Sequence, residues 1–127
     1  MQGMNDTVPA TGTHILIDHF GGKGLTDPDQ IERALQEAAM AAGATILSGS
    51  FHKFGGHGGV TGVLLLAESH ISIHTWPEKG YAAIDVFMCG TARPELAAAS
   101  LKTSLRPERA EITQIRRGLT EPIIPAI

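Results

Sequence analysis

Ala67-Glu68-Ser69-His70-Ile71-Ser72-Ile73-His74-Thr75-Trp76-Pro77-Glu78 is the stretch around which the rest of the chain is arranged. A strand-like apolar run, Val60 to Ala67, leads into it, and a second, Tyr81 to Cys89, leaves it. Within it His70, Ser72, His74 and Trp76 alternate with Ile71, Ile73 and Thr75. Successive side chains of an extended strand point to opposite faces. One face therefore carries two imidazoles, a hydroxyl and an indole, and the other is mostly aliphatic. The pattern predicts a sheet with one face on a core and the other free for chemistry.

Upstream, Ala44 to Phe54 and Val60 to Ala67 read as two strands joined by Gly55-Gly56-His57-Gly58-Gly59. Four glycines suit a hairpin loop with positive φ angles. They are not read as a phosphate cradle, because the Lys-Ser/Thr of a P-loop is missing and no helix pattern follows. Further back, Asp27 as N-cap, Pro28 at the first helical position and Gln30 three residues after the cap mark a helix start. Ile31, Leu35, Ala38 and Ala42 recur at helical spacing, and Gly43 is a fitting terminator. His14 to Phe20 is the expected first strand, broken by Gly21-Gly22-Lys23-Gly24. Downstream, Tyr81 to Cys89 is a fifth strand. Pro94 to Leu105 is a second helix with Ala97, Leu101 and Leu105 on one stripe. Glu108 to Arg116 alternates as a last strand, with Ala110, Ile112 and Gln114 on one side and Glu111, Thr113 and Ile115 on the other. The links between several strands are very short, which makes the sheet mainly antiparallel. Two helices packed on one of its faces give a two-layer α/β (α+β) sandwich. The expected organisation is a flexible N-terminal arm over residues 1–12, a single domain over 13–118 and an irregular tail over 119–127.

A length of 127 residues fits one domain. Ten Lys and Arg against 13 Asp and Glu give a net charge of −3, and the absence of a basic run argues against a nucleic-acid partner. No apolar run approaches the ~20 residues that span a bilayer. The single Cys89 has no internal disulfide partner, which suits a reducing compartment. Residues 1–12 lack the features of a secretory signal, so a cytoplasmic location is expected. His52, His70, His74, Asp85 and Cys89 invite a metal. However, His70 and His74 lie four residues apart on one strand, ~13 Å between Cα atoms, too far to share an ion. Neither H-E-x-x-H nor a paired C-x-x-C occurs, and no metal is expected.

The run E-S-H-I-S-I-H-T-W-P-E, followed by G-Y-A-A-I-D-V-F-M-C-G, closely resembles the prokaryotic S-adenosylmethionine decarboxylases. The resemblance extends over about His14 to Gly118, including G-A-T-I-L and F-H-K-F, and is densest from Glu68 to Gly90. It implies a self-cleaving proenzyme of polyamine (spermidine) biosynthesis that makes its own pyruvoyl cofactor. Amino-acid side chains lack an electron sink for decarboxylation, so an electrophilic carbonyl is needed. By resemblance, cleavage falls between Glu68 and Ser69, and Ser69 becomes the pyruvoyl group that forms a Schiff base with substrate. His74 is the acid/base group of this processing, for which an imidazole titrating near neutrality is suited. Thr61 occupies the place of a Ser whose hydroxyl assists. Cys89 is the proton donor in turnover. Phe54, Trp76 and Glu78 match substrate-binding positions. Aromatic rings suit adenine and the sulfonium, and a carboxylate can accept both ribose hydroxyls. The resemblance also implies a homodimer with active sites at or near the interface. Two departures stand near the site and bear on substrate preference. The Gly55–Gly59 loop is richer in glycine and one residue longer, and Met88 replaces the usual Thr before Cys89. The alternatives are a pyruvoyl-dependent arginine or ornithine decarboxylase and a non-catalytic paralogue acting as a binding subunit.

Overall fold

The computed structural model describes residues 9–67 and 69–119. Glu68, residues 1–8 of the expected arm and residues 120–127 of the expected tail lie outside the described residues.

The Asp27-Pro28 pair starts helix α1, Pro28–Ala41. The Asp27 carboxylate accepts from the backbone N–H of Asp29 at 3.0 Å and of Gln30 at 3.3 Å, which satisfies two of the free donors of the first turn. Gly43, with φ of 78°, turns the chain out of the helix. Helix α2 spans Pro94–Leu105. Both helices are rich in alanine where they touch, so they approach each other and the sheet closely; Ala34, Ala38, Ala39, Ala97 and Ala98 are all buried.

Among the described residues six strands form one sheet: β1 (Ala10–Phe20), β2 (Ile46–Lys53), β3 (Val60–Leu66), β4 (Ser69–Trp76), β5 (Tyr81–Cys89) and β6 (Arg109–Leu119). Their spatial order is β2-β3-β4-β5-β1-β6, and every neighbouring pair is antiparallel. The result is the expected two-layer α+β sandwich, with β4 and β5 at its centre. Ile15 and Ile17 of β1, Val60 and Leu64 of β3, Ile71 and Ile73 of β4 and Ile84 and Val86 of β5 form the core against Ile31, Leu35, Leu101 and Leu105. Burying each such aliphatic side chain contributes about 1.5–3 kcal/mol. Among the described residues, the opposite face of the sheet carries no helix.

Two strands run beyond their expected limits, and one side chain lies on the other face from the one expected. Strand β1 begins at Ala10, so residues 10–12 belong to the sheet rather than to an arm; Gly12 pairs with Cys89 on one side and Arg117 on the other. Strand β6 runs on to Leu119, the first residue of the expected tail. As the last strand it lies beyond the helical layer, so its alternation buries neither side, and Ile112 and Ile115 are 53% and 47% exposed. Met88, placed near the site by its neighbour Cys89, instead points into the core and is fully buried. Alternation puts it on the face opposite Cys89.

Candidate active site

Strand β4 divides its side chains as the sequence pattern requires: Ile71, Ile73 and Thr75 are buried and His74 and Trp76 exposed. Thr75 does more than fill the core. Its hydroxyl donates to the Leu25 carbonyl at 2.7 Å and accepts from the Val60 N–H at 2.8 Å. That clamp fixes the end of β4 against β3 and the loop before α1.

Three clusters lie along this strand. At its first residue, Ser69 lines a cavity of about 210 Å³ together with Cys89, Ala67, Gly90 and the Gly43–Thr45 turn after α1. The Ser69 hydroxyl donates to the Ala67 carbonyl at 3.3 Å. Midway, His74 Nδ1 and Thr61 Oγ1 share a hydrogen bond of 3.1 Å across directly paired positions of β3 and β4. They lie in a basin of about 270 Å³ that also includes Ser50, His52 and Ser72. At the far end, Phe54, Trp76 and Glu78 line a third cavity of about 220 Å³ with Gly55, His57 and Gly59. Gly59 is required there, since a Cβ would come within 2.7 Å of the Thr75 carbonyl oxygen.

The expected site residues are thus paired off as Ser69 with Cys89, Thr61 with His74, and Phe54 and Trp76 with Glu78. The second and third groups adjoin, with the His74 and Trp76 rings 6.2 Å apart and His52 of the basin 4.5 Å from Phe54, whereas Ser69 and Cys89 stand apart from both within one chain. His74 lies five positions along the strand from Ser69, ~17 Å, and Trp76 seven positions, ~24 Å. Among the described residues, no three His, Cys, Asp or Glu side chains converge to hold a metal ion.

On the helix-free face His14, Asp18 and Tyr81 were not singled out from sequence, and Asp85 was named there only as a metal candidate. His14 Nε2 and Asp85 Oδ1 lie 3.1 Å apart. Tyr81 donates its hydroxyl to Asp18 Oδ1 at 2.6 Å. That hydrogen bond, aided by burial and by the negative charges of Asp18 and Asp85, pushes the Tyr81 pKa up to about 12. Both pairs depend on the β1–β5 register, which joins segments more than sixty residues apart. Only His57 carried a local signal, as the one side chain in a loop of glycines lying between candidate strands.

A six-stranded antiparallel sandwich with a serine and a cysteine sharing one cavity at the sheet's end defines the class of fold and site. Residues 13–118 match the family model described as S-adenosylmethionine decarboxylase. An S-adenosylmethionine decarboxylase proenzyme of Methanococcus maripaludis is 46% identical over 113 residues, covering 87% of this chain and 92% of that protein. A proenzyme of the same name from Thermomicrobium roseum is 39% identical over 109 residues, covering 85% and 94%. The crystal structure of the adenosylmethionine decarboxylase from Aquifex aeolicus superimposes with a TM-score of 0.74 at 36% identity, over 92% of this chain and 98% of that one. The chain belongs to the S-adenosylmethionine decarboxylase family.

Proposed function

We propose that this chain is the proenzyme of a pyruvoyl-dependent S-adenosylmethionine decarboxylase, a carboxy-lyase that supplies the aminopropyl donor for spermidine synthesis. The observation that carries this reading is the shared cavity of Ser69 and Cys89 at the opening of β4. It fits the cofactor, because residue 69 borders open space beside a thiol.

In maturation the Ser69 hydroxyl attacks the Glu68 carbonyl, and an ester replaces the peptide bond as the C–N bond breaks. His74, with Thr61 holding its ring, takes the α-proton of residue 69. The Cβ–O bond then breaks, releasing the Glu68 carboxylate, and hydrolysis of the resulting dehydroalanine yields the pyruvoyl group and ammonia. Serine serves here because its oxygen is first nucleophile and then leaving group. The pyruvoyl group then supplies the electron sink that decarboxylation requires. Cys89 returns a proton to the former α-carbon. Phe54 and Trp76 flank the base, and Glu78 accepts hydrogen bonds from the ribose hydroxyls. Two aromatic rings beside a carboxylate fit a nucleoside better than arginine or ornithine.

The separation of Ser69 and Cys89 from the other two clusters supports a homodimer. A second chain laid antiparallel on the helix-free face would set the partner's His74 beside Ser69 and, by symmetry, His74 beside the partner's Ser69. A two-fold interface demands that reciprocity. The same face exposes Leu16, Leu65, Trp76 and Ile115, apolar surface that such a copy would cover. The cytoplasm, where Cys89 stays reduced, is the matching compartment.

Intact-mass measurement tests the reading: products of 68 and 59 residues, the latter with a blocked N-terminus, should replace the 127-residue chain. Ser69→Ala should stay whole. Matured protein should release CO2 from S-adenosylmethionine. Glu78→Gln should mature normally yet lose about tenfold in kcat/KM, since a charge-assisted hydrogen bond is worth roughly 1.5–3 kcal/mol. A wild-type chain that never splits would sink the proposal. Release from arginine or ornithine alone would overturn the substrate.

A further inference from the structure

Trp76 begins a row of rings across the end of the helix-free face, and the mechanism leaves the other members unused. Trp76 stacks on Tyr81 with centroids 5.3 Å apart and planes 24° from parallel. Tyr81 stacks on Phe20 at 5.4 Å and 29°. The Arg109 guanidinium closes the row, 4.1 Å from the centre of the Phe20 ring. The row follows from register: Trp76 opposes Tyr81, Tyr81 opposes Phe20 and Phe20 opposes Arg109 on successive strands. Its members are tied down from the side, Tyr81 by its hydrogen bond to Asp18 and Arg109 by an ion pair with Glu111.

Tyr81 supports Trp76 from the β5 side. The cavity of Phe54, His57 and Glu78 lies on the other side of Trp76, because Phe54 and the 55–59 loop belong to the β2–β3 hairpin. An exposed indole with two rotatable bonds would otherwise be ordered only when a ligand arrives, at a cost to affinity. We infer that Tyr81 is a positioning residue. Through the row ending at Phe20 and Arg109, it holds the Trp76 indole as a preformed stacking platform for the planar base of a nucleoside in this cavity. This rests on the reading of the cavity as the nucleoside subsite.

Trp76 is the only tryptophan of the chain, so its fluorescence reports this cavity alone. The experiment titrates 5′-deoxy-5′-methylthioadenosine, a nucleoside without the reacting amino acid, into purified protein and follows Trp76 emission. Wild type should show a saturable change. Tyr81→Leu should weaken the apparent affinity about five- to tenfold, the range expected for a lost aromatic stack. Tyr81→Phe, which keeps the ring, should stay within about twofold of wild type. Phe20→Leu, one ring farther from the cavity, should fall between them and replaces Tyr81→Leu if that variant does not fold. KM for S-adenosylmethionine should rise in the same order while kcat holds. If folded Tyr81→Leu and Phe20→Leu bind like wild type, or if Tyr81→Phe is as weak as Tyr81→Leu, the positioning role is overturned while the subsite stands. If wild type turns over substrate but its emission ignores the nucleoside, the subsite reading falls and the role falls with it.

Discussion

His19 is the residue at which this core is most exposed to acid. It lies on the helical side of β1, 1% exposed, with Nδ1 buried and unpartnered among the described residues. Burial, reinforced by the positive charge of Lys102, lowers its pKa from 6.5 to about 4. The unfolded chain therefore binds a proton more readily than the native one. Stability is complete above about pH 6.5, falls as pH drops from there toward 4, and levels off below. The loss from this group should amount to about 3 kcal/mol at most. Urea unfolding at pH 7 and pH 4.5 checks it: His19→Leu should flatten this part of the pH dependence. An unchanged acid slope in that variant would show that other groups carry it.

At the scale of elements, what was legible in the sequence was local. Helix α1 falls where its caps and apolar spacing put it, because Asp27, Pro28 and Gly43 act within a turn of where they stand, and α2 falls where its apolar stripe puts it, without a side-chain cap. Asp27→Ala should accordingly lower stability by about 1 kcal/mol, read as a lower thermal midpoint with unaltered maturation. The faces of β4 were equally plain, since alternation is a property of the strand itself. The limits of β1 and β6 were not. Thr11, Gly12, Arg117 and Gly118 have no strand pattern of their own and are extended because β1 and β6 pair with each other. The Met88 side chain followed the same logic: a motif places a residue in sequence, but alternation decides its face. The residue types of the candidate site come from the family motif. The separation of Ser69 and Cys89 from the other candidates along β4 depends on strand rise and cross-strand register, which residue types alone do not convey.

For the whole molecule, the division of the site makes a direct prediction. On the proposed mechanism Ser69→Ala lacks the nucleophile and His74→Ala lacks the base, so neither should mature alone. Co-expressed, they should form mixed dimers in which Ser69 of one chain faces the partner's intact His74. About a quarter of all sites would then be complete if the chains assort at random. The cut chain in that mixture should be the His74→Ala chain, identifiable by mass. No cleavage in the mixture would place Ser69 and His74 at work within one protomer and remove the argument for reciprocal sites.

The strand order has a consequence for what self-cleavage leaves behind. Residues 1–68 hold β1, β2, β3 and α1, and residues 69–127 hold β4, β5, β6 and α2. Read across the sheet β2-β3-β4-β5-β1-β6, the two pieces interleave: two strands of the first, two of the second, then one of each. β1 is clasped between β5 and β6 of the other piece, and α1 of one fragment packs against α2 of the other. The severed polypeptides are therefore topologically dovetailed, and scission frees neither. Each alone would have unpaired strand edges and a helix without its neighbour. Matured protein should stay together on dilution, yet once unfolded its two pieces must find each other again. Its refolding should slow on dilution far more than that of uncut Ser69→Ala, whose elements remain tethered. For this fold, breaking the backbone turns a molecule that assembles within itself into a pair that must meet.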